Sequence, residues 1–255
     1  MQFNEKLKTI KIRELFVVFI VAAILIAIGC IIFPIIEEDD DLYYILFLFI
    51  IILFFTWKLK DTTGFNSNIR EVFKISTQKE NIYLILINLF FTVLIFIITY
   101  TLGIPDGSSD FETTAELSVI LGVLSTDILG PIVEELVFRG VLFNRLQIRT
   151  GIIPAILISS IIFGALHDGN VGMISAFVFG VCMCILYLKT GNIFVTISLH
   201  MLNNILVDVM GLLNIDDLAF VGPYWMIPLT IIGVISTVLL IKYLYDGFKK
   251  VKSLT

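Results

Sequence analysis

The stretch LFVVFIVAAILIAIGCIIF, Leu15 to Phe33, decides the fold. It carries no charge and is long enough, as a helix, to cross a hydrocarbon core about 30 Å thick. Free N–H and C=O groups find no water there, so a crossing segment must be a helix or part of a closed barrel. The apolarity is continuous rather than alternating, which excludes the barrel. Similar runs recur, and spans are expected at 14–36, 42–57, 82–103, 117–144, 152–167, 171–188, 192–213 and 223–245. The composition agrees: 58% hydrophobic, 15% charged, mean hydropathy +1.01, against roughly 25% charge in a soluble domain. The chain reads as an all-α, polytopic transmembrane helical bundle of about eight spans. It forms one domain over 1–255, with no linker, repeat or low-complexity tract.

Leu15–Phe33 is too long for a cleaved signal, and no small-x-small cleavage site follows it. Cys30, Cys182 and Cys184 all lie in expected spans, so no disulfide framework is implied. Charge sets the orientation. If the N-terminus is cytoplasmic, the inner segments hold Lys6, Lys8, Lys11, Arg13, Lys58, Lys60, Arg70, Lys74, Lys79, Arg145, Arg149, Lys189, Lys242, Lys249, Lys250 and Lys252. The outer loops then hold only acids: Glu37 to Asp41, Asp106, Asp110, Glu112, Glu116, Asp216 and Asp217. By the positive-inside rule both termini are expected in the cytoplasm. With the basic residues accounted for by topology, nothing points to nucleic acid. Ile69, Val72 and Phe73 space an apolar stripe expected to lie along the inner interface, and Gly172, Ala176, Gly180 and Cys184 form a small-residue stripe that invites close helix packing.

One basic residue falls outside the topological pattern. Arg139 follows an acid pair in Glu134-Glu135-Leu136-Val137-Phe138-Arg139. Ionisable groups at membrane depth are costly and mark function by default. On a helix Glu135 and Arg139 share a face, while Glu134 points about 100° away and is free for another task. The chain's two histidines also lie in spans, in Phe163-Gly164-Ala165-Leu166-His167 and in His200-Met201-Leu202-Asn203-Asn204. His200 and Asn204 share a face one turn apart and could donate hydrogen bonds to a developing oxyanion. Asp127 and Asp208 are expected to play supporting roles. These pieces fit a hydrolase: Glu134 takes a proton from water held by His167, His200 and Asn204 hold the carbonyl oxygen, and Glu135 and Arg139 orient the site. No zinc-protease His-Glu-x-x-His motif is present, although Glu134, His167 and His200 brought together in space would make a His₂Glu zinc set.

Glu-Glu-x-x-x-Arg, Phe-x-x-x-His and His-x-x-x-Asn, in that order on successive spans, resemble the CPBP intramembrane proteases. These are the CAAX proteases and bacteriocin-processing enzymes, or Abi family, related to the Ras-converting enzyme. The resemblance covers roughly 117–210 and includes Phe163. It implies an intramembrane endopeptidase with Glu134 as base, His167 as its partner, and His200 with Asn204 as oxyanion donors. A site without a metal cofactor is favoured, with zinc as the alternative. It implies a bacterial plasma-membrane protein acting on peptide or protein substrates in the bilayer, such as bacteriocin or pheromone precursors, with self-immunity as a role. Two rivals stand beside it: a proton-coupled carrier, against which the lack of an inverted repeat counts, and a non-catalytic membrane regulator or immunity protein binding a sensor kinase or secretion component.

Overall fold

In the computed structural model, residues 1–33, 40–104, 120–212 and 223–252 are described. The expected acids at 37–39, 106, 110, 112, 116, 216 and 217, and the span ends 34–36, 117–119 and 213, lie outside these residues. The described chain is helical, with one isolated bridge between Gln2 and Thr63. In order the helices are α1 (Phe3–Leu7), α2 (Ile12–Ile32), α3 (Asp40–Leu59), α4 (Phe65–Val72), α5 (Ile75–Thr101), α6 (120–150), α7 (Ile152–Ala165), α8 (Asn170–Thr190), α9 (Ile193–Leu212) and α10 (Pro223–Lys252).

Five of them (α2, α3, α5, α8 and α10) are long and apolar enough to cross a membrane, and α7 and α9 are shorter apolar helices. With α6 they occupy the eight expected segments. The outward faces are apolar: Phe16, Ile20, Ile24, Ile28 and Ile31 are exposed along α2, and Ile227, Ile231, Ile235 and Val238 along α10. Contiguous apolar surface on that scale suits lipid, not water. The fold is that of a helical membrane protein.

Several expected boundaries move, with α6 running on to Thr150 and α10 to Lys252. Helix α5 begins at Ile75 rather than 82, shortening the connection after α3. Helix α4 buries Val72 but leaves Phe73, beyond its end, largely exposed. The N-terminal residues, read only as basic cytoplasmic sequence, form α1 and dock. Phe3 packs its ring against Phe65 and Phe194, at centroid distances of 5.8 and 5.0 Å. Arg145 donates to the Thr9 and Ile10 carbonyls, and Asn4 Oδ1 accepts the Ile193 N–H.

Helix α6 carries the motif and is the least regular element. Pro131 has no N–H to offer the Asp127 carbonyl four residues back, so the ladder slips there. The Gly130 N–H bonds Ser125 O, five residues back, closing a π-helical segment over Val123–Leu129. A second π-helical segment, Leu136–Phe143, follows the short α-helical turn Gly130–Glu135. The Asn144 side chain caps its end, donating to the Arg139 and Gly140 carbonyls at 2.8 and 2.9 Å. Both widened segments flank the acid pair, a placement common where a helix serves a functional site.

Helix α8 runs through the bundle centre, with 67% of its apolar window buried. Hydrophobic burial does not drive helices together in lipid, so close packing must. The small-residue stripe supplies it: a Cβ on Gly180 would meet Ser160 of α7 at 3.1–3.3 Å. Polar rungs tie α5 to α9, from Asn81 to Ser198 at 3.1 Å and from Asn88 to Asn203 at 3.3 Å.

Candidate active site

Glu135 and Arg139 meet as their spacing requires, with Nη1 2.6 Å from Oε1, and both are buried. Arg139 Nη2 also donates to Gly180 O at 3.3 Å, and its guanidinium lies 4.5 Å above the Phe163 ring. The bare backbone that lets α7 approach α8 therefore also offers Arg139 a carbonyl. His200 reaches the same carboxylate oxygen from α9, with Nδ1 3.0 Å from Glu135 Oε1. One buried carboxylate thus binds α6 to α9, and Arg139 binds α6 to α8. Glu135 Oε2 and Arg139 Nε have no partner among the described residues.

Glu134 stands apart from this brace. Its side chain is 29% exposed, against 0% for Glu135, and its Oε2 lies 3.8 Å from His200 Nε2. That gap exceeds a direct hydrogen bond. The His200 ring is held edge-on by Phe163 and Phe179, at centroid distances of 5.8 and 5.4 Å.

His167 is linked to the group through Phe163. The rings are 4.7 Å apart, and His167 Nδ1 lies 2.8 Å from the Phe163 carbonyl. A carbonyl only accepts, so Nδ1 carries the proton and a neutral His167 presents its Nε2 lone pair. The same logic makes His200 Nδ1 the donor to Glu135. Phe163, read from sequence only as a motif position, touches Arg139, His167 and His200.

Asn204 lies one turn beyond His200, but its Nδ2 donates to the Thr126 carbonyl of α6 at 3.0 Å. Its Oδ1 lies 3.5 Å from Asn203 Nδ2. Asp127 is buried, and its carboxyl lies near that of Asp208, where α6 meets α9 beside the Asn204 contact. Among the described residues, no three His, Cys, Asp or Glu side chains are grouped to hold a metal ion.

Two features had no motif to announce them. Tyr44 of α3 brings its hydroxyl to Gly130, close beside Glu134, and Phe179 of α8 packs on His200. Both reach the site through space from helices whose sequence reads only as apolar span.

Fold and site together define a polytopic membrane protein with an acid–base centre enclosed by its helices. Comparison with known proteins finds similarity over the segment that carries that centre. Residues 116–206 match the family model described as type II CAAX prenyl endopeptidase Rce1-like. YdiL of Bacillus subtilis, named as a membrane peptidase by inference, is 36% identical over 117 residues, 44% of this chain and 47% of its own. The membrane-embedded CAAX protease MroQ of Staphylococcus aureus is 29% identical over 172 residues, 63% of this chain and 68% of its own. The match to YdiL thus spans about half of that relative's length. No solved structure matches the chain significantly.

Proposed function

We propose that this chain is an intramembrane endopeptidase that hydrolyses a peptide bond of a membrane-associated or hydrophobic peptide. One observation carries the reading: a half-exposed carboxylate, Glu134, faces His200 Nε2 across 3.8 Å, while a buried Glu135–Arg139 pair fixes that imidazole from behind. Glu134 takes a proton from water, and His167 Nε2 accepts a second hydrogen bond from that water. The hydroxide adds to the peptide carbonyl carbon, and the carbonyl oxygen becomes an oxyanion. In its doubly protonated form His200 donates to that oxyanion through Nε2, and the free N–H of Asn204 is placed on the same face to help. Glu134 then returns its proton to the leaving amine nitrogen as the C–N bond breaks. Each step uses only side chains and water.

The names of the relatives, a membrane peptidase and a CAAX protease, support this reaction class. We place the protein in a bacterial plasma membrane with both termini cytoplasmic, because the basic residues gather on one side of the spans. Small apolar precursors such as bacteriocins or pheromones are the substrates proposed, with self-immunity and a sensor kinase or secretion component as the physiological setting. The test is cleavage of a co-expressed membrane-peptide library by wild type, Glu134→Ala and His200→Ala at equal expression. Products lost in both variants and insensitive to chelators are expected. Products that vanish on chelation and return with zinc would overturn the metal-free mechanism. A cellular phenotype that survives both substitutions without any products would leave a non-catalytic regulator.

A further inference from the structure

The first half of the chain contributes a side chain to the site. Helix α3 is tied to α6 by Ser125 Oγ, which donates to Asp41 Oδ1 at 3.0 Å. Tyr44 lies three residues further along α3, on the same face. Its neighbour Tyr43 is 41% exposed and suits an interfacial aromatic belt. Tyr44 instead packs its ring against the buried core.

Its hydroxyl arrives at a spot that α6 leaves bare. A Cβ built on Gly130 would lie 3.8 Å from Tyr44 Oη and 3.7 Å from Glu134 Oε1. The two oxygens therefore flank one point above Gly130. A side chain cannot fill that point, because the same Cβ would come within 2.9 Å of Ser125 O. Among the described residues no hydrogen bond engages the Tyr44 hydroxyl. Meanwhile Asn204, one of the two expected oxyanion donors, gives one N–H to Thr126 O. The site has a free donor where none was expected, and an expected donor already in use.

We propose that Tyr44 is a further catalytic residue, whose phenol O–H donates a hydrogen bond to the substrate carbonyl oxygen as it becomes an oxyanion above Gly130. This role rests on the hydrolase reading above. Tyr44 remains protonated throughout: it donates a hydrogen bond and transfers no proton. Glu134 does the proton transfer from the other side of the same point.

The test uses the full chain in detergent micelles and an internally quenched apolar peptide that wild type cleaves and Glu134→Ala does not. Tyr44→Phe keeps the ring and its packing, so its thermal melt by circular dichroism is expected to match wild type. Its kcat should fall by about 10²-fold or more, the usual effect of deleting one oxyanion donor, with KM and the pH–rate profile unmoved. Tyr44→His, which restores a ring donor, should recover part of the rate, and Tyr43→Phe should change nothing. A Tyr44→Phe rate within twofold of wild type overturns the proposal. So does a displaced acidic limb of the pH–rate profile, which would make Tyr44 a modulator of Glu134. If wild type and Glu134→Ala cannot be told apart on any such peptide, the hydrolase reading fails and this role falls with it.

Discussion

Separating Glu135 from Arg139 should cost far more than removing both. Their N–O distance is 2.6 Å, both side chains are buried, and each has little else to bond. Arg139→Met leaves the Glu135 carboxylate with His200 alone, and Glu135→Gln leaves the guanidinium without a counter-charge, on a neutral amide oxygen, Gly180 O and the Phe163 face. Stranding one partner of a buried ion pair typically costs about 3–5 kcal/mol. In the double variant the Gln carbonyl still accepts from His200 Nδ1 and the Met stem still covers Phe163. Its main loss is the charged hydrogen bond to Gly180 O, about 1.5–3 kcal/mol. The coupling between the two sites should therefore reach about 3 kcal/mol, the upper end for residues in contact. The assay is equilibrium unfolding in mixed micelles titrated with a denaturing detergent. Far-UV circular dichroism should be the readout, since Trp57 and Trp225 are both exposed. Losses that add within about 0.5 kcal/mol would refute the claim that this pair braces the bundle.

Glu134→Gln should leave the unfolding midpoint unchanged, because its carboxylate makes no direct hydrogen bond to His200, yet lower cleavage by about 10²–10⁴-fold through loss of the base; a paired activity and melting measurement checks both. Gly180→Val should destabilise by about 1–3 kcal/mol through overpacking, since its Cβ meets Ser160 at 3.1 Å, whereas Gly172→Ala, with only His167 Cβ at 4.0 Å, should be neutral in the same unfolding assay. Asn144→Ala strips the cap from the Arg139 and Gly140 carbonyls and should cost about 1–3 kcal/mol; an unchanged midpoint would mean those carbonyls find other donors.

The span pattern was legible because each span is a local property: a window of apolar residues long enough to hide its own backbone. The Glu135–Arg139 contact was legible for a similar reason, since four residues on a helix fix a shared face. Sequence could also separate Asn203 from Asn204, and the two indeed turn to different helices, Asn88 of α5 and Thr126 of α6. What escaped was contact between helices. Nothing local in Asp41 to Tyr44 says that α3 lies against Ser125 and Gly130. The π-helical segments escaped too, because the slipped ladder depends on where Asn144 and the packed neighbours take up the released carbonyls. The docking of α1 was hidden by its charge, which satisfies the topology rule whether or not Phe3 and Leu7 are buried.

Two adjacent glutamates with the same chemistry have received different environments, and that difference assigns their work. Glu135 is sealed and shares one oxygen between Arg139 and His200, so any change in its charge would disturb three helices at once. Glu134, a rotation of about 100° away, keeps 29% exposure and has no direct partner to release before it takes a proton. The cost of burying Glu135 is offset by Arg139, and the benefit appears at His200, whose Nδ1 is fixed as a donor so that Nε2 faces Glu134. On the hydrolase reading proposed above, proton transfer is then confined to the one carboxylate that can reach water, while the Glu135–Arg139 pair stays in place behind His200.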